Sequence, residues 1–364
     1  MATATRSVVS GIPDCFSKHG SITNNIFLNH LPDHHLNILI TGGAGFIGSH
    51  LAEHHLAKGH SVMVVDDLST GSQSNLTGFD QKECYFEQGD LLTWEGLDEA
   101  VKHADRIYHM AAVVGMFRVL EQPIEVTRVN VLGTERLLDS ISRAKTLPEV
   151  LIASSSSVYG HSHEKVLSEG IELVYSPEKG GLTGYALSKL SNEIQAMAYR
   201  QIHGMPVSIP RLFNAVGPRQ SGNYGFVLPR FIKQALSGTP LTVYGDGTQT
   251  RSFCDVRDTV RALDMLAGNP KAWGEAVNVG NPREIAILDL AKLVIERSGS
   301  SSSIDFIPYE KGYGERFWQI SQRRPNVEKL QKIAPFKHAW TLEMTIDDLL
   351  ERNRSNIVPD GRLL

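Results

Sequence analysis

The chain has 364 residues, with 36 lysines and arginines against 40 aspartates and glutamates, for a net charge of −4. Its length allows a full core and two domains or lobes, and its balanced charge provides no electrostatic case for binding nucleic acid or an anionic membrane. No apolar run approaches the ~20 residues that a membrane span requires. The three cysteines, Cys15, Cys84 and Cys254, follow no ligand or disulfide spacing. This favours free thiols in a reducing cytoplasm, with no structural metal.

Residues 1–35 are rich in serine, asparagine and histidine and show no periodicity. They lack the apolar core of a secretory signal, and their aspartates and few arginines argue against a transit peptide. We expect a disordered or loosely docked extension here, and a short C-terminal tail over residues 351–364.

From Leu36 onward, short apolar runs alternate with helical patterns, which is typical of repeated βαβ units. The fold predicted for residues 36–213 is an α/β, Rossmann-type, doubly wound parallel sheet. Its expected strands are Asn37–Thr41, Ser61–Asp66, Cys84–Glu87, Arg106–Met110, Val150–Ser154 and Val207–Leu212. Its expected helices are Phe46–Lys58, Ile124–Ala144 and Tyr185–Ile202.

Beyond residue 214 the elements shorten, and proline and glycine become denser. We predict a smaller mixed α/β lobe over residues 214–350, interleaved with the sheet rather than strung after it. Its expected elements are strands at Leu241–Gly245, Ala276–Gly280 and Ile304–Ile307 and helices at Asp255–Ala267 and Leu288–Arg297.

A glycine-rich turn follows the first predicted strand. Gly42, Gly45 and Gly48 stand where a dinucleotide-binding turn requires close backbone approach to a pyrophosphate, and Phe46 and Ile47 begin the helix whose N-terminus would face it. The pattern alone is weak, but its place between a strand and an amphipathic helix strengthens it. We expect a dinucleotide cofactor at this turn.

Asp66 ends the second strand, where its carboxylate can accept hydrogen bonds from the adenosine ribose. Asp66 and Asp67 would repel a 2′-phosphate, and no arginine follows the strand to receive one. The expected cofactor is therefore NAD rather than NADP. Asp90 and Leu91 are candidates for the adenosine pocket, although Asp90 can alternatively cap a helix over Leu91–Val101.

A hydroxyl, a phenol and an ammonium are predicted to meet beside this cofactor. Ser155 follows the buried run Val150–Ser154, while Tyr185 and Lys189 share one helix face at i,i+4. A phenolate near pH 7 needs about 4 kcal/mol of stabilisation, which Lys189 and a cationic nicotinamide ring can both supply. Tyr185 would then take an alcohol proton while hydride leaves for NAD, and Ser155 would order the same oxygen.

These motifs together resemble the extended short-chain dehydrogenase/reductase family, in its nucleotide-sugar epimerase/dehydratase branch. The resemblance spans residues 36 to about 346. It is carried by Thr41–His50, Val64–Asp67, His109–Ala112, Val129–Thr134, Ser154–Gly160, Tyr185–Lys189, Arg211–Asn214 and Arg251–Asp258. It implies that Ser155 is the catalytic hydroxyl, Tyr185 the base and Lys189 its helper. It also implies that Asn130 supports the active-site backbone and that Ala111 lies along the nicotinamide, and we expect both, with Tyr185 and Lys189, among the cofactor-binding residues.

The resemblance further implies a nucleotide-diphosphate sugar as substrate. The implied substrate contacts are Ser155, Ser156, Asn214, Leu228, Tyr244, Arg251 and Arg316, with Arg323 or Arg324 as competitors of Arg316. Arginine forks bind diphosphate bidentately, and Tyr244 offers a flat wall for a base.

The serines after Ser155 bear on the reaction type. In the dehydratase and UDP-glucuronate decarboxylase branches carboxylates stand where this chain has Ser156 and Ser157, so we expect an NAD-dependent 4-epimerase of a UDP-sugar. The alternatives are a UDP-glucuronate decarboxylase, a 4,6-dehydratase or a net NAD-dependent dehydrogenase or reductase. A decarboxylase-like segment at residues 307–326 and the possibility that Arg118 meets a sugar carboxylate keep a uronic acid substrate open.

The helices predicted at Ile124–Ala144 and Tyr185–Ile202 both look amphipathic. In the family that this chain resembles, such a pair forms a four-helix dimer interface, so a homodimer is expected. The alternative is that the two helices only cover the sheet.

Overall fold

The computed structural model describes residues 35–176, 182–222, 225–309, 311 and 323–354. Residues 1–34 of the predicted extension, Arg316 and residues 355–364 of the predicted tail lie outside this described part. The strands are β1 Asn37–Thr41, β2 Ser61–Asp66, β3 Cys84–Gln88, β4 Arg106–His109, β5 Glu149–Ile152, β6 Ser154–Ser155, β7 Val166–Leu167, β8 Val207–Leu212, β9 Ala215–Val216, β10 Leu241–Tyr244, β11 Thr250–Ser252, β12 Cys254–Asp255, β13 Ala276–Val279, β14 Glu284–Ala286, β15 Ile304–Ile307 and β16 Arg324–Pro325.

The helices are α1 Phe46–Ala57, α2 Leu97–His103, α3 Met116–Glu121, α4 Pro123–Arg143, α5 Leu182–His203, α6 Val227–Leu236, α7 Val256–Ala267, α8 Ile287–Ser298, α9 Glu328–Ile333 and α10 Leu342–Arg354. Among the helices of the described part, none is long and apolar enough to span a membrane.

A parallel sheet forms the centre of the molecule, in the order β13-β8-β5-β4-β1-β2-β3, with β6 added beside β8. Strand β2 is buried along all six residues, as expected where helices cover both faces of a parallel sheet. One face packs against Leu137, Leu138 and Ile141 of α4, and the other against Leu51 and Ala52 of α1. The predicted doubly wound Rossmann-type fold is thus confirmed.

The second lobe has its own core, formed by α6, α8 and α10 around the parallel pair β10–β15. It is also tied into the sheet, because β13 pairs with β8 and α7 contributes to the core on one sheet face. Helix α10 continues to Arg354, so residues 351–354, which we expected in the tail, belong to it.

One predicted helix is wrong. Leu91–Val101 is not a single helix, because α2 begins only at Leu97. The Asp90 carboxylate accepts a hydrogen bond from the Leu92 backbone N–H at 2.9 Å. A side chain that binds the backbone two residues ahead favours a turn over a helix, so Asp90 closes a turn here.

Candidate active site

A deep cleft of about 520 Å³ opens between the carboxyl ends of the sheet strands and the second lobe. This is the usual location of ligands in open parallel sheets. Most residues singled out from the sequence line it: Gly42, Gly45, Phe46, Ile47, Gly48, Asp66, Asp67, Asp90, Leu91, Ala111, Ser155, Ser156, Tyr185, Lys189, Asn214, Leu228, Tyr244 and Arg251. Asn130 is buried outside the lining, and Arg316 lies outside the described residues.

The glycine turn is built for close backbone approach. Gly42 has a φ of 70°, and a Cβ there would lie 2.5 Å from the Ala111 backbone nitrogen. A Cβ on Gly48 would lie 2.2 Å from the Gly42 carbonyl oxygen. Helix α1 starts directly after Gly45 without a side-chain cap, so its first N–H groups remain available to a phosphate. These features fit the pyrophosphate of a dinucleotide.

Asp66 is held rigidly at the end of β2. Its carboxylate accepts hydrogen bonds from the backbone N–H groups of Ala44 at 3.0 Å and Leu68 at 2.8 Å. Burial raises the pKa of Asp66 while these two hydrogen bonds oppose the rise. The carboxylate therefore faces the cleft from a fixed position, where ribose hydroxyls can donate to it.

Asn130 acts from behind the cleft. Its side chain accepts a hydrogen bond from the Val113 N–H at 2.8 Å and donates to the Ser188 hydroxyl at 3.1 Å. It thus links the loop that follows β4 to helix α5, next to Lys189. This placement matches a supporting role for the active-site backbone rather than direct contact with a cofactor.

Ser155, Tyr185 and Lys189 converge at the tip of β6. Tyr185 lies close enough to the Ser155 hydroxyl for that group to lower the Tyr185 pKa, and the Ser155 hydroxyl donates to the Ser157 hydroxyl at 3.2 Å and accepts from the Ser157 N–H at 3.1 Å. The Lys189 ammonium donates to the Ala153 carbonyl oxygen at 2.9 Å. The strand end and the first turns of α5 are therefore joined by two polar contacts.

The electrostatics of this group differ from our expectation. Burial raises the pKa of Tyr185, while the Ser155 hydrogen bond and the charge of Arg323 lower it. Burial also lowers the pKa of Lys189 to about 8. Because the Lys189 ammonium is directed at Ala153, the two groups that favour the phenolate in this structure are Ser155 and Arg323.

Arg118 does not reach the catalytic group. Its guanidinium lies 3.5 Å from the Ser69 carbonyl and hydroxyl oxygens and 3.4 Å from the Gln122 side chain, at the edge of the cofactor half of the cleft. Although Val119 of helix α3 packs in the same apolar cluster as Tyr185, the hydrogen bonds of the Arg118 side chain go to Ser69 and Gln122. The suggestion that Arg118 meets a sugar carboxylate is therefore not supported by its position.

Arg323, which we named only as a competitor for diphosphate, lines the catalytic end of the cleft. The Arg323 Nη1 is 3.4 Å from the Ser157 hydroxyl. The guanidinium also lies close enough to Arg251 and to the Tyr185 phenolate for electrostatic interaction with each of them. Burial and the neighbouring Arg251 lower the pKa of Arg323 to about 9. Two like charges held together in a cleft favour an anionic ligand.

The second lobe contributes further residues that the sequence did not single out. The Arg230 guanidinium stacks over the Tyr244 ring at 4.9 Å and donates to the Thr242 carbonyl at 3.1 Å. Arg219, Gln249 and Tyr309 also line the cleft. The Asn214 amide donates to the Ser252 carbonyl at 3.0 Å, which fixes the end of β11, the strand that carries Arg251. Arg219, Arg230, Gln249 and Tyr309 come to the cleft only through the packing of the second lobe, so no local motif could have indicated them.

Known proteins resemble this chain over most of its length. A UDP-N-acetyl-α-D-glucosaminuronate decarboxylase from Bacillus cytotoxicus is 38% identical over 317 residues, 86% of this chain and 96% of the relative. UDP-glucuronic acid decarboxylase 1 of Xenopus tropicalis is 32% identical over 88% of this chain and 72% of its own length. The structure of a UDP-glucuronic acid 4-epimerase from Bacillus cereus, in complex with UDP-glucuronic acid and NAD, superposes with a TM-score of 0.77 at 27% identity, covering 87% of this chain and 98% of that one.

The model of the NAD dependent epimerase/dehydratase family matches residues 38–280, which include the glycine turn, Asp66 and the Ser155, Tyr185 and Lys189 group. The glycine cradle and the fixed carboxylate of Asp66 fit NAD. The chain therefore belongs to the NAD-dependent epimerase/dehydratase family of nucleotide-sugar enzymes, with NAD as its cofactor.

Proposed function

We propose that this enzyme decarboxylates a UDP-linked uronic acid through transient oxidation at C4 of the sugar. The observation that carries the proposal is the position of Arg323, a guanidinium beside both Tyr185 and Ser157 at the catalytic end of the cleft. A sugar that places C4 at Tyr185 would bring its C5 substituent close to that charge. The decarboxylases among the relatives support the same substrate class.

The chemistry follows from the position of the carboxylate. Bound NAD supplies the acceptor for the C4 hydride and returns the hydride at the end of the cycle. Tyr185 takes the C4 hydroxyl proton as the 4-ketone forms, and Ser155 holds that oxygen. The C5–C6 bond then breaks, CO₂ leaves, and the bonding electron pair moves into the C4 carbonyl to give an enolate. A proton added at C5 and the returned hydride complete a UDP-pentose, so the balance is one UDP-uronate and one proton to one UDP-pentose and CO₂.

Arg323 can act at two steps of this reaction. Its fork and the Ser157 hydroxyl would orient the carboxylate before C–C cleavage. Arg323 is also the candidate source of the C5 proton, because it lies beside Ser157 at the catalytic end of the cleft, and its lowered pKa of about 9 supports this role. Arg251, adjacent to it, is placed to hold the diphosphate.

A UDP-uronate 4-epimerase is the second candidate. It is favoured by the hydroxyls of Ser156 and Ser157, which cannot replace a carboxylate in acid–base chemistry at C5. The sequence ranked a UDP-sugar 4-epimerase first, with either a UDP-glucose/galactose or a UDP-glucuronate type of substrate, whereas the relatives support the decarboxylase more strongly. Both reactions share the same 4-keto sugar and differ in whether CO₂ leaves before the hydride returns.

Product analysis separates these reactions. The purified enzyme is incubated with UDP-glucuronate and, separately, with UDP-N-acetylglucosaminuronate, and the products are followed by NMR together with released CO₂. We expect a UDP-pentose and stoichiometric CO₂ without added NAD. A C4 epimer without CO₂ would establish the epimerase instead, and stoichiometric consumption of added NAD would indicate a net dehydrogenase.

We also propose a homodimer formed through α4 and α5, which pack against each other on one face of the sheet. Several apolar side chains of these helices are exposed in the single chain, including Ile124, Leu132, Leu187, Ile194, Met197 and Ile202. Ile194 is 60% exposed. Light scattering should report a dimer that Ile194→Glu dissociates, whereas Met344→Glu, which alters an exposed apolar residue of α10, should leave it intact. A wild-type monomer at micromolar concentration would contradict the proposal.

A further inference from the structure

A buried ion pair lies directly behind the catalytic group. Glu193 of α5 and Arg211 of β8 are 2% and 5% exposed. The Arg211 Nε and Nη2 atoms donate to the two Glu193 carboxylate oxygens at 2.9 and 2.8 Å. Isolating two charges from water is costly, and a well-packed apolar pair often serves stability as well. Stability alone therefore does not account for this pair.

The pair joins the three elements that create the active site. The Ser154 hydroxyl donates to Glu193, and Ser154 stands opposite Arg211 in the β6–β8 register. Ser155, the next residue of β6, carries the hydroxyl that lowers the pKa of Tyr185. Glu193 thus connects its own helix to both strands at the point from which Ser155 projects.

Helix α5 presents its functional groups in one row. Tyr185, Lys189 and Glu193 follow each other at i,i+4 spacing and so lie along one side of the helix. Lys189 contacts the Ala153 carbonyl, and Glu193 contacts the Ser154 hydroxyl one residue further along the strand. The helix is therefore attached to the strand end at two consecutive residues, and the third group of the row, Tyr185, meets Ser155.

Arg211 is itself fixed from the other side. Its guanidinium stacks over the Tyr159 ring at 4.9 Å, and its Nη1 donates to the Glu169 carbonyl at 3.2 Å. The Tyr159 hydroxyl donates to the Asn278 side chain at 2.6 Å. The anchor for Glu193 is therefore rigid, and a shift of the strand end would break several buried contacts at once.

We infer that Glu193 and Arg211, acting through Ser154, are positioning residues that set the contact between Ser155 and Tyr185. This role rests on the proposed function only in taking Tyr185 as the base. A misplacement of about 1 Å can cost about 10²-fold in rate, so loss of this link should lower kcat more than it changes KM.

The sharpest variant is Ser154→Ala, which cuts the link and leaves the ion pair in place. The matched control is Ser208→Ala, which removes another fully buried strand hydroxyl, bonded to the Leu266 carbonyl. With UDP-glucuronate we expect Ser154→Ala to lower kcat about 10-fold with KM within about twofold, and Ser208→Ala to leave kcat unchanged. Equal kcat values for the two variants would overturn the inference.

A second variant separates positioning from stability. Glu193→Leu combined with Arg211→Met removes both charges, so that neither remains buried without a partner. We expect this double variant to fold and bind NAD but to keep a kcat reduced at least as much as that of Ser154→Ala. A folded double variant with wild-type kcat would show that the pair serves structure alone.

A readout without substrate keeps the test independent of the reaction. The Tyr185 phenol is titrated by its tyrosinate absorbance in the NAD-bound protein, with Tyr185→Phe subtracted in each background. Because the Ser155 hydrogen bond lowers the pKa of Tyr185, this pKa should rise in Ser154→Ala and stay constant in Ser208→Ala. If the wild type leaves UDP-uronates unchanged, the proposed function fails, while an unshifted titration in Ser154→Ala would refute the positioning role.

Discussion

The two halves of the cleft are built in opposite ways. The cofactor half comes from the ends of four neighbouring strands, β4, β1, β2 and β3, and its charged groups are the carboxylates of Asp66, Asp67 and Asp90. The substrate half is lined by helix α6, strand β11 and neighbouring loop residues, and the charged side chains that line it are arginines: Arg219, Arg230, Arg251 and Arg323.

This difference shows how one cleft can direct two anionic ligands, the cofactor and the substrate, to different halves. Carboxylates at the cofactor half accept from ribose hydroxyls and repel an extra phosphate. Guanidinium groups at the substrate half attract a diphosphate and a carboxylate. Ser155 and Tyr185 stand where the halves meet, so substitutions in each region should affect different steps.

The largest effect is expected at the boundary between the halves. Tyr185→Phe removes the proposed base and should lower kcat by about 10³–10⁴-fold, because general acid–base groups contribute on this order. NAD content measured after denaturation should stay at the wild-type level. Tyr199→Phe, on the same helix and outside the cleft lining, is the control that should retain activity. Substantial turnover by Tyr185→Phe would remove Tyr185 from the mechanism.

Arg323→Gln addresses the substrate half. Loss of a charged hydrogen-bond donor should lower kcat/KM for UDP-glucuronate about 10²-fold. Binding of UDP-glucose, which lacks the carboxylate, should weaken much less when measured by calorimetry. The neighbouring Arg324 is exposed, so Arg324→Gln should behave as the wild type. Equal losses for the acidic and the neutral sugar would show that Arg323 binds the diphosphate instead.

Titration of Lys189, at the boundary between the two halves, should make the free energy of unfolding depend on pH. Burial lowers its pKa from the ordinary lysine value of 10.5 to about 8 in the folded protein, so between these values the unfolded chain binds more protons. Stability from this group should therefore rise with pH across that window and be constant below pH 8. The free energy of unfolding is measured in urea for the wild type and for Lys189→Met. Between pH 7 and pH 10 the difference between the two proteins should shift by about 2 kcal/mol in favour of the wild type. An unchanged difference would mean that Lys189 titrates normally.

The smallest effect is expected in the cofactor half. Asp66→Asn keeps the shape but removes the charge, and should raise the Kd for NAD about 10-fold while easing the exclusion of NADP. Asp67→Asn, at the more exposed neighbour, should change the Kd less. Fluorescence titration of both variants with NAD and NADP checks this. An NADP affinity that stays unmeasurable in both would place the discrimination elsewhere.

The sequence predicted the central sheet well because its strands are buried on both faces. The bounds expected for β1, β2 and β8 match the structure. Strands of a parallel sheet that is covered on both faces are continuous apolar runs, and such runs between helical stretches are easily recognised in a sequence. The helix expected from Leu91 failed because Asp90 captures the backbone locally. Strands β6, β9 and β12 were missed because two-residue strands carry no periodicity of their own.

The sequence alone determined the cofactor half and the Tyr185–Lys189 pair. Glycine spacing, a carboxylate at a strand end and i,i+4 helix geometry are local properties, because they depend only on residues that are close together in the sequence. Only the tertiary structure decided that Arg118 points away from the catalytic group, that Arg323 stands beside Tyr185 and that Glu193 meets Ser154 and Arg211. Those contacts join residues far apart along the chain: packing of the second lobe against the sheet brings Arg323 to Tyr185, and packing of α5 against β6 and β8 brings Glu193 to Ser154 and Arg211.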